Sequence, residues 1–256
     1  MTISVILPTL NEEHALPRTL AHTLGLGFDE ILVVDGGSTD HTCGIVSACA
    51  GNGQWAIGDG TESRKFEASL PPHSLSPLAP RLALLASPAG RAIQMNTGAA
   101  ASRGEVLLFL HADTQLPRDA KPAIVHALQE PTCVGGRFDL RFEQHAGLAG
   151  LISRLINLRS RCAGIATGDQ ALFVRRSIFE QMGGFSAIPI MEDVDFTRRL
   201  KRMGRTAALR SQVVTSYRRW DSCGPIRTIL LMWLLRFLYW IGVSPQALSR
   251  LYRNVR

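Results

Sequence analysis

Four short polar segments, each directly after a run of apolar residues, carry the side chains best suited to chemistry. They lie at 8–12, 35–40, 87–91 and 111–113. Carboxylates accept hydrogen bonds from N–H and hydroxyl groups, an arginine grips phosphate oxygens, and carboxylate oxygens suit a hard divalent cation. If the fold brings these segments together, they could bind a polar, phosphate-bearing ligand and a metal ion.

The apolar runs before these segments predict the elements that position them. The runs occupy 3–7, 31–34, 82–86 and 106–110. Short runs that are apolar on both faces are typical of parallel strands covered by helices. Helical patterns lie between them, at 12–24, 39–50 and 92–102. The alternation predicts a doubly wound α/β sheet, and ligands bind beyond the C-terminal ends of such strands, so the four segments should converge on one crevice.

The second half of the chain is less regular. Its patterns predict a strand at 135–142, a helix at 148–161, a strand at 169–174 and helices at 176–182 and 192–203. Residues 51–80 are rich in Gly, Ser and Pro and stand where a short connection is expected. Connections of this length are uncommon in compact domains, so we interpret 51–80 as an inserted, flexible surface loop.

Composition limits the class of protein. With 46% hydrophobic and 19% charged residues, the chain is predicted to be neither disordered, nor a coiled coil, nor collagen-like. Its five cysteines include no C-x-x-C pair, so neither a disulfide framework nor a zinc site is predicted. The run at 3–7 is too short for the core of a signal peptide, and we expect a cytoplasmic protein.

The net charge of +7 is unevenly distributed. Residues 198–256 hold 13 Lys and Arg against one acid, whereas residues 1–197 hold 15 basic and 20 acidic residues. This pattern argues against nucleic-acid binding and favours contact with phosphates or a membrane surface. Residues 228–243 are strongly apolar but short for a membrane span. They are either an interfacial helix on the inner face of the membrane or a surface that packs on the body or on a second subunit.

Five motifs occur in an order that resembles family 2 glycosyltransferases of the GT-A fold. They are residues 7–13, 33–40, 91–98 and 111–113 and the pair Glu192-Asp193. The resemblance implies a GT-A domain at 1–220 and a basic, apolar helical segment at 221–256. Within the family, the chain looks most like a bacterial subgroup labelled arsenosugar-biosynthesis or carotenoid-type glycosyltransferases. The implied reaction moves a sugar from a nucleoside-diphosphate donor, such as a UDP-sugar, to the hydroxyl of a small-molecule or lipid-like acceptor.

The resemblance implies that the first two segments form a nucleotide-binding wall. Asp35 would accept hydrogen bonds from the base, and Glu12 or Glu13 from the nucleoside. An aspartate after a strand is also a common helix N-cap, although Asp40 fits that role better. The same wall would be shaped by Pro8, Thr9, Asn11 and Gly36.

Other residues are predicted to contact the diphosphate, the sugar or the acceptor. Arg91 is the candidate for the diphosphate, with a solvated surface position as the alternative. Asn96 either faces the same wall or packs inside. By resemblance, Asp169 faces the sugar or the acceptor, with a simple turn residue as the alternative. Arg219 could reach the diphosphate, and Trp220 could stack on an acceptor.

The segment His111-Ala112-Asp113 stands where the family has its Asp-x-Asp metal motif. An extended chain puts both end residues on one side. Mg²⁺ prefers oxygen ligands, whereas Mn²⁺ also accepts imidazole, so we predict either ion at Asp113. His111 is a second ligand or a hydrogen-bonded histidine at a strand end. A phosphatase with an Asp nucleophile is disfavoured, because His111 occupies the nucleophile position.

Glu192 and Asp193 begin the last predicted helix of the domain. Acids in a first turn are stabilised by the helix dipole, which is the simple interpretation. By resemblance, Asp193 is the general base that takes the proton of the acceptor hydroxyl, supported by Glu192. One base without a covalent nucleophile implies inversion at the anomeric carbon. The alternatives are a noncatalytic, membrane-associated nucleotide-sugar-binding module and a sugar nucleotidylyltransferase, which would need a Gly-rich basic loop after the first strand.

Overall fold

The structure is a computed structural model and describes residues 1–49, 81–144, 147–217 and 224–255. Within these ranges, eight strands form one sheet in the order β3-β2-β1-β4-β7-β6-β8-β5. The strands are β1 (Ile3–Thr9), β2 (Glu30–Asp35), β3 (Arg81–Ala86), β4 (Val106–Phe109), β5 (Thr114–Gln115), β6 (Cys133–Phe142), β7 (Leu172–Arg175) and β8 (Arg205–Thr215).

The sheet is mostly parallel, as predicted. Strands β1 to β4 are parallel neighbours, and β6 is parallel to β8. Strand β7 runs antiparallel between β4 and β6, and the short β5 is antiparallel to β8. Side chains alternate along β1, so that Val5 and Leu7 enter one core and Ile6 enters the other. Burial on both faces explains why these strands read as continuous apolar runs.

Helices cover both faces of the sheet. One face is covered by α1 (Leu16–Leu24), α2 (Thr42–Cys49), α4 (Ala120–Ala127) and α5 (Leu148–Ala163). The other is covered by α3 (Arg91–Ala101), α6 (Arg176–Gln181) and α7 (Glu192–Met203). Four phenylalanines pack together on this face, and two of them belong to α6 and α7: Phe109, Phe179, Phe185 and Phe196. The doubly wound architecture is therefore confirmed.

Two further helices, α8 (Pro225–Trp240) and α9 (Pro245–Val255), follow the sheet. Leu235 of α8 and Leu248 of α9 are buried together with Met191, the residue before α7. The C-terminal helices therefore pack beside the start of α7, where the candidate base lies. Among the described helices, none has the length and apolar character needed to cross a membrane.

Several element bounds differ from the sequence prediction. Helix α1 begins at Leu16 rather than at residue 12, because the carbonyl of Glu12 first closes a turn by accepting the N–H groups of Ala15 and Leu16. Helix α4 and strands β5 and β8 were not predicted, whereas helices α8 and α9 lie within the helical segment predicted at 221–256. The predicted insertion at 51–80 lies outside the described residues, as do Arg219 and Trp220.

Candidate active site

Asp35 lies at the end of β2 and organises the loop that follows it. Its carboxylate is buried, with 6% of the residue exposed. One oxygen accepts the N–H groups of Gly37 and Ser38 at 2.9 and 2.8 Å, and the other accepts the Ser38 hydroxyl. Asp35 therefore caps a turn rather than a helix, and Asp40 accepts the N–H of Thr42 at the start of α2. Both Asp35 oxygens already have partners within the protein, so a nucleotide would share them.

The loops after β1 and β2 are tied together by polar side chains. The Asn11 side-chain oxygen accepts the N–H of Thr39 at 2.8 Å, and the Asn11 N–H donates to the Ser38 hydroxyl. Asn11 adopts a left-handed backbone, with φ of 55°, which asparagine tolerates better than most residues. Asp40 also accepts the N–H of Glu13. Hydrogen bonds therefore join the two loops of the predicted nucleotide-binding wall.

Gln94 is a residue of this wall that sequence reasoning missed. Its amide group is buried, and Nε2 donates to the carbonyls of Thr9 and Val34 at 2.7 and 2.8 Å. A Cβ on Gly36 would lie 3.0 Å from the same nitrogen, so a side chain at position 36 would press against the Gln94 amide. Gln94 lies in the helical pattern at 92–102, and only the positions of the strand carbonyls reveal its role.

Helix α3 carries two predicted site residues with different surroundings. The Arg91 guanidinium is 3.3 Å from Glu192 Oε1, and 46% of the Arg91 side chain remains exposed. Burial lowers the pKa of Arg91, but the charges of Glu192 and Asp193 outweigh it and raise the pKa. Asn96 uses both atoms of its amide on the backbone of Phe185, at 2.8 and 2.9 Å. This is the second of its predicted roles, packing inside, and it fixes the turn before α7.

The segment after β4 brings the candidate metal ligands to the same edge of the sheet. Ala112 is buried in the core, whereas His111 and Asp113 are partly exposed. The Asp113 carbonyl accepts the N–H of Ser216, which ties this segment to the end of β8. His111 lies against Gly168, where an added Cβ would be 2.5 Å from His111 Nε2. Within the described ranges, no group of three or more His, Cys, Asp or Glu side chains could hold a metal.

Asp193 connects these elements at the start of α7. Its Oδ2 accepts the Gly168 N–H at 2.8 Å, and its Oδ1 accepts the N–H of Val194 at 2.7 Å. Burial and then the charge of Glu192 raise the pKa of Asp193 from 3.8 to about 6, against the lowering effect of the Gly168 N–H and of Arg91. A carboxylate with this pKa is ionised at neutral pH and still basic enough to accept a proton.

The backbone before Asp193 is strained. Met191 has φ of 68°, which is unusual for a residue that is not glycine, and its side chain is buried against α8 and α9. Glu192 is also buried, with 4% of the residue exposed, and pairs with Arg91. Strain of this kind is maintained only when the surrounding packing imposes it. The C-terminal helices therefore help to hold the candidate base in place.

Asp169 lies in a short 3₁₀ helix (Gly168–Gln170) that precedes β7. Thr167 caps this helix, and Gln170 is fully buried. The structure therefore brings Arg91, His111, Asp169 and Asp193 to one edge of the sheet, around Gly168 and the start of α7. Asp35 and Asn11 lie at the ends of the neighbouring strands.

Comparison with known proteins defines the class. The profile of the glycosyl transferase family 2 matches residues 4–57 and 74–182, more than half of the chain. The chain therefore belongs to this family. The arsenosugar or carotenoid subgroup remains a prediction.

The similar proteins are longer than this chain. An undecaprenyl-phosphate 4-deoxy-4-formamido-L-arabinose transferase of Pseudomonas paraeruginosa is 31% identical over 191 residues, which are 70% of this chain and 49% of that protein. The chain thus spans about half the length of the curated relatives it matches.

Solved structures share the GT-A fold. S. aureus TarS is similar with a TM-score of 0.60 and 18% identity, over 84% of this chain and 60% of that chain. Glucosyl-3-phosphoglycerate synthase from Mycobacterium tuberculosis, in complex with Mn²⁺, UDP and glucosyl-3-phosphoglycerate, is similar with a TM-score of 0.58 and 17% identity, over 95% of this chain and 81% of that chain.

Proposed function

We propose that this protein is a glycosyltransferase that transfers the sugar of a nucleoside-diphosphate sugar. The transfer inverts the configuration at the anomeric carbon, and Asp193 acts as the general base. The observation that carries the proposal is the setting of the Asp193 carboxylate. It is oriented by two backbone N–H groups, its pKa is raised to about 6, and it lies beside the Arg91–Glu192 pair. These are the properties that a base acting on a hydroxyl group at neutral pH requires.

The proposed step is a single displacement. The acceptor oxygen forms a bond to the anomeric carbon while the bond from that carbon to the phosphate oxygen breaks. The hydroxyl proton passes to Asp193, and the nucleoside diphosphate leaves with the electron pair. The transition state resembles an oxocarbenium ion, as in glycoside hydrolysis. Glu192 raises the basicity of Asp193 through its charge, and Arg91 holds Glu192 in place.

The donor would bind along the edge formed by β1, β2 and β4. Asp35, Thr9 and Gly36 would line the nucleotide, at the loops that Asn11 and Gln94 fix. Half of the Arg91 side chain is exposed, so its guanidinium can bind a phosphate oxygen while it contacts Glu192. UDP is the first nucleotide to test, because a solved structure of similar fold contains it.

A divalent cation fits the residues after β4. Mg²⁺ is commonly held by one or two carboxylates together with substrate phosphates, so a cluster of three protein ligands is not needed. Asp113 would supply a carboxylate. His111 would supply an imidazole that Mn²⁺ accepts, and its Nε2 edge faces Gly168. When bound, such an ion would neutralise charge on the departing diphosphate.

The acceptor is proposed to be lipid-like and to be reached by peripheral contact with the inner face of the membrane. The relative from Pseudomonas paraeruginosa is named for an undecaprenyl-phosphate acceptor. Helix α8 exposes six large apolar side chains, each between 46% and 74% exposed: Ile226, Leu230, Trp233, Leu234, Phe237 and Trp240. Ile241, the residue after the helix, is 53% exposed. Contiguous exposed apolar surface marks an interaction site.

Helix α5 exposes a second apolar stripe, with each residue between 51% and 59% exposed: Leu148, Leu151, Leu155 and Leu158. The sequences of α5, α8 and α9 contain arginines and no acid. Apolar faces flanked by arginine are typical of helices that lie on an anionic membrane. A second subunit is the alternative occupant of these faces.

The experiment is calorimetric titration of the purified protein with UDP and GDP, with and without Mn²⁺. The wild-type protein should bind one of the nucleotides, more tightly with Mn²⁺. Asp113→Ala should lose the metal-dependent part, whereas Glu180→Ala, which removes an exposed acid of α6, should not. If neither these nucleotides nor dTDP binds, the noncatalytic binding module becomes the better proposal.

A further inference from the structure

Helix α5 carries an arginine whose binding edge has no partner. Nε and Nη2 of Arg159 are shielded from solvent, and neither has a hydrogen-bond partner among the residues described. The N–H groups of these two nitrogens point the same way, along the edge of the guanidinium that binds phosphate or carboxylate oxygens in pairs. Buried donors are nearly always paired in native proteins, so we expect a ligand to bind this edge.

The neighbouring polar side chains of α5 differ from Arg159 in this respect. Asn157 makes two hydrogen bonds to the backbone of Leu140 in β6. Arg161 pairs with Asp139 and donates to the carbonyl of Ala208. These residues attach α5 to the sheet, whereas Arg159 contributes no such bond through Nε or Nη2. A purely structural role therefore does not account for it.

The charges of the candidate base and of Asp169 reach Arg159. Burial lowers the pKa of Arg159, and the charges of Asp169 and Asp193 oppose that effect, so both carboxylates act on this guanidinium. The chain then leaves α5 at Gly164 and reaches Gly168, whose N–H binds Asp193. Arg91, the candidate for the donor diphosphate, approaches Asp193 from α3 instead.

On α5, Arg159 lies between an exposed apolar surface and the buried core. It lies one turn after the exposed Leu155 and two turns after the buried Ile152, at the boundary between the leucine stripe and the core. A molecule with an apolar part on the stripe could therefore place a charged group at Arg159. The same edge would equally take the phosphate of a small soluble molecule.

We propose that Arg159 binds a phosphate group of the acceptor, which makes the acceptor a phosphorylated molecule. This inference rests on the proposed function, since it assigns the acceptor side of the same site. Two N–H groups on one edge hold two oxygens of one phosphate and so fix the acceptor relative to Asp193. The attacking hydroxyl is then a second group of the same acceptor. A phosphorylated lipid and a soluble phosphate ester share this mode of binding through the phosphate.

The test measures binding of acceptor analogues to protein saturated with Mn²⁺ and the nucleotide that it binds. Farnesyl phosphate is compared with farnesol, and glycerol 3-phosphate with glycerol. For one of the two pairs, the wild-type protein should bind the phosphate about 10- to 100-fold more tightly than the alcohol, and that pair identifies the source. Arg159→Gln should lose the preference, and Arg159→Lys should keep part of it.

The control is Arg103→Gln, which removes the same charge from an exposed arginine in the connection between α3 and β4. It should leave the phosphate preference unchanged. The inference is overturned if folded Arg159→Gln protein keeps the preference, if wild type shows none, or if the variant weakens nucleotide binding instead. Absence of nucleotide binding in wild type would refute the proposed function itself, which the first titration reveals separately.

Discussion

Replacing Asp193 with asparagine should make the enzyme slower and the fold more stable at neutral pH. Asparagine has nearly the same shape but cannot take the acceptor proton. Loss of a general base typically costs 10²- to 10⁴-fold in rate, or about 3–5 kcal/mol of transition-state stabilisation. The assay follows release of the nucleoside diphosphate from the nucleotide sugar that the titration identifies.

The expected gain in stability follows from the pKa of Asp193. A carboxyl whose pKa rises from 3.8 in the unfolded chain to about 6 in the fold binds its proton more tightly when folded. Its stabilising contribution is complete below pH 3.8 and is lost as pH rises through 6. At pH 7 the ionised group costs up to about 3 kcal/mol relative to a neutral one.

Asparagine avoids that cost but accepts with one oxygen where Asp193 accepts with two, so a net gain of about 1–2 kcal/mol is expected at pH 7. Urea unfolding at pH 7 and at pH 4 measures it, and the gain should shrink at pH 4. Glu180→Gln, an exposed acid on α6, is the control and should change neither rate nor stability. Undiminished activity of Asp193→Asn, or wild-type kcat/KM that stays constant from pH 8 to pH 5, would refute the assignment.

Three further results are expected. Gly168→Ala should reduce the rate more than tenfold, because its Cβ would lie 2.5 Å from His111 Nε2. The control Gly44→Ala, on α2, has open space for its Cβ and should keep the wild-type rate. Equal rates for the two variants would contradict the contact between position 168 and His111. Gln94→Met should lower the free energy of unfolding by about 1–3 kcal/mol in urea, because the buried carbonyls of Thr9 and Val34 each lose one of their donors. An unchanged value would contradict this. Leu155→Glu with Trp233→Glu should abolish flotation with phosphatidylglycerol vesicles; flotation that persists would exclude these faces.

The sequence predicted the parts of the fold whose residues are buried on both sides. Strands β1, β2 and β4 lie in continuous apolar runs, and the structure places them within one or two residues of the prediction. Strand β8 could not be recognised, because it is only partly buried along most of its length and its sequence mixes arginine, serine and alanine. Helix α9 begins within the helical segment predicted at 221–256, and its amphipathic pattern starts at residue 245.

The site shows a similar division. The resemblance predicts Asp193 as the base, and the structure gives this carboxylate a raised pKa. The sequence could not identify Gln94 or Gly168, because their importance lies in contacts with residues distant in the chain. For Asn96 the residue type suggested ligand binding that the structure does not show. Both atoms of its side-chain amide instead bind the backbone of Phe185.

The anomeric configuration of the first product tests whether the reaction is a single displacement with Asp193 as the base. Proton NMR of the anomeric signal, recorded during early turnover of the nucleotide sugar, distinguishes the two stereochemical outcomes. We expect a product of inverted configuration that forms with wild-type protein and is reduced at least 100-fold with Asp193→Asn. A product of retained configuration, or one formed at the same rate by both proteins, would contradict a single displacement with Asp193 as the base.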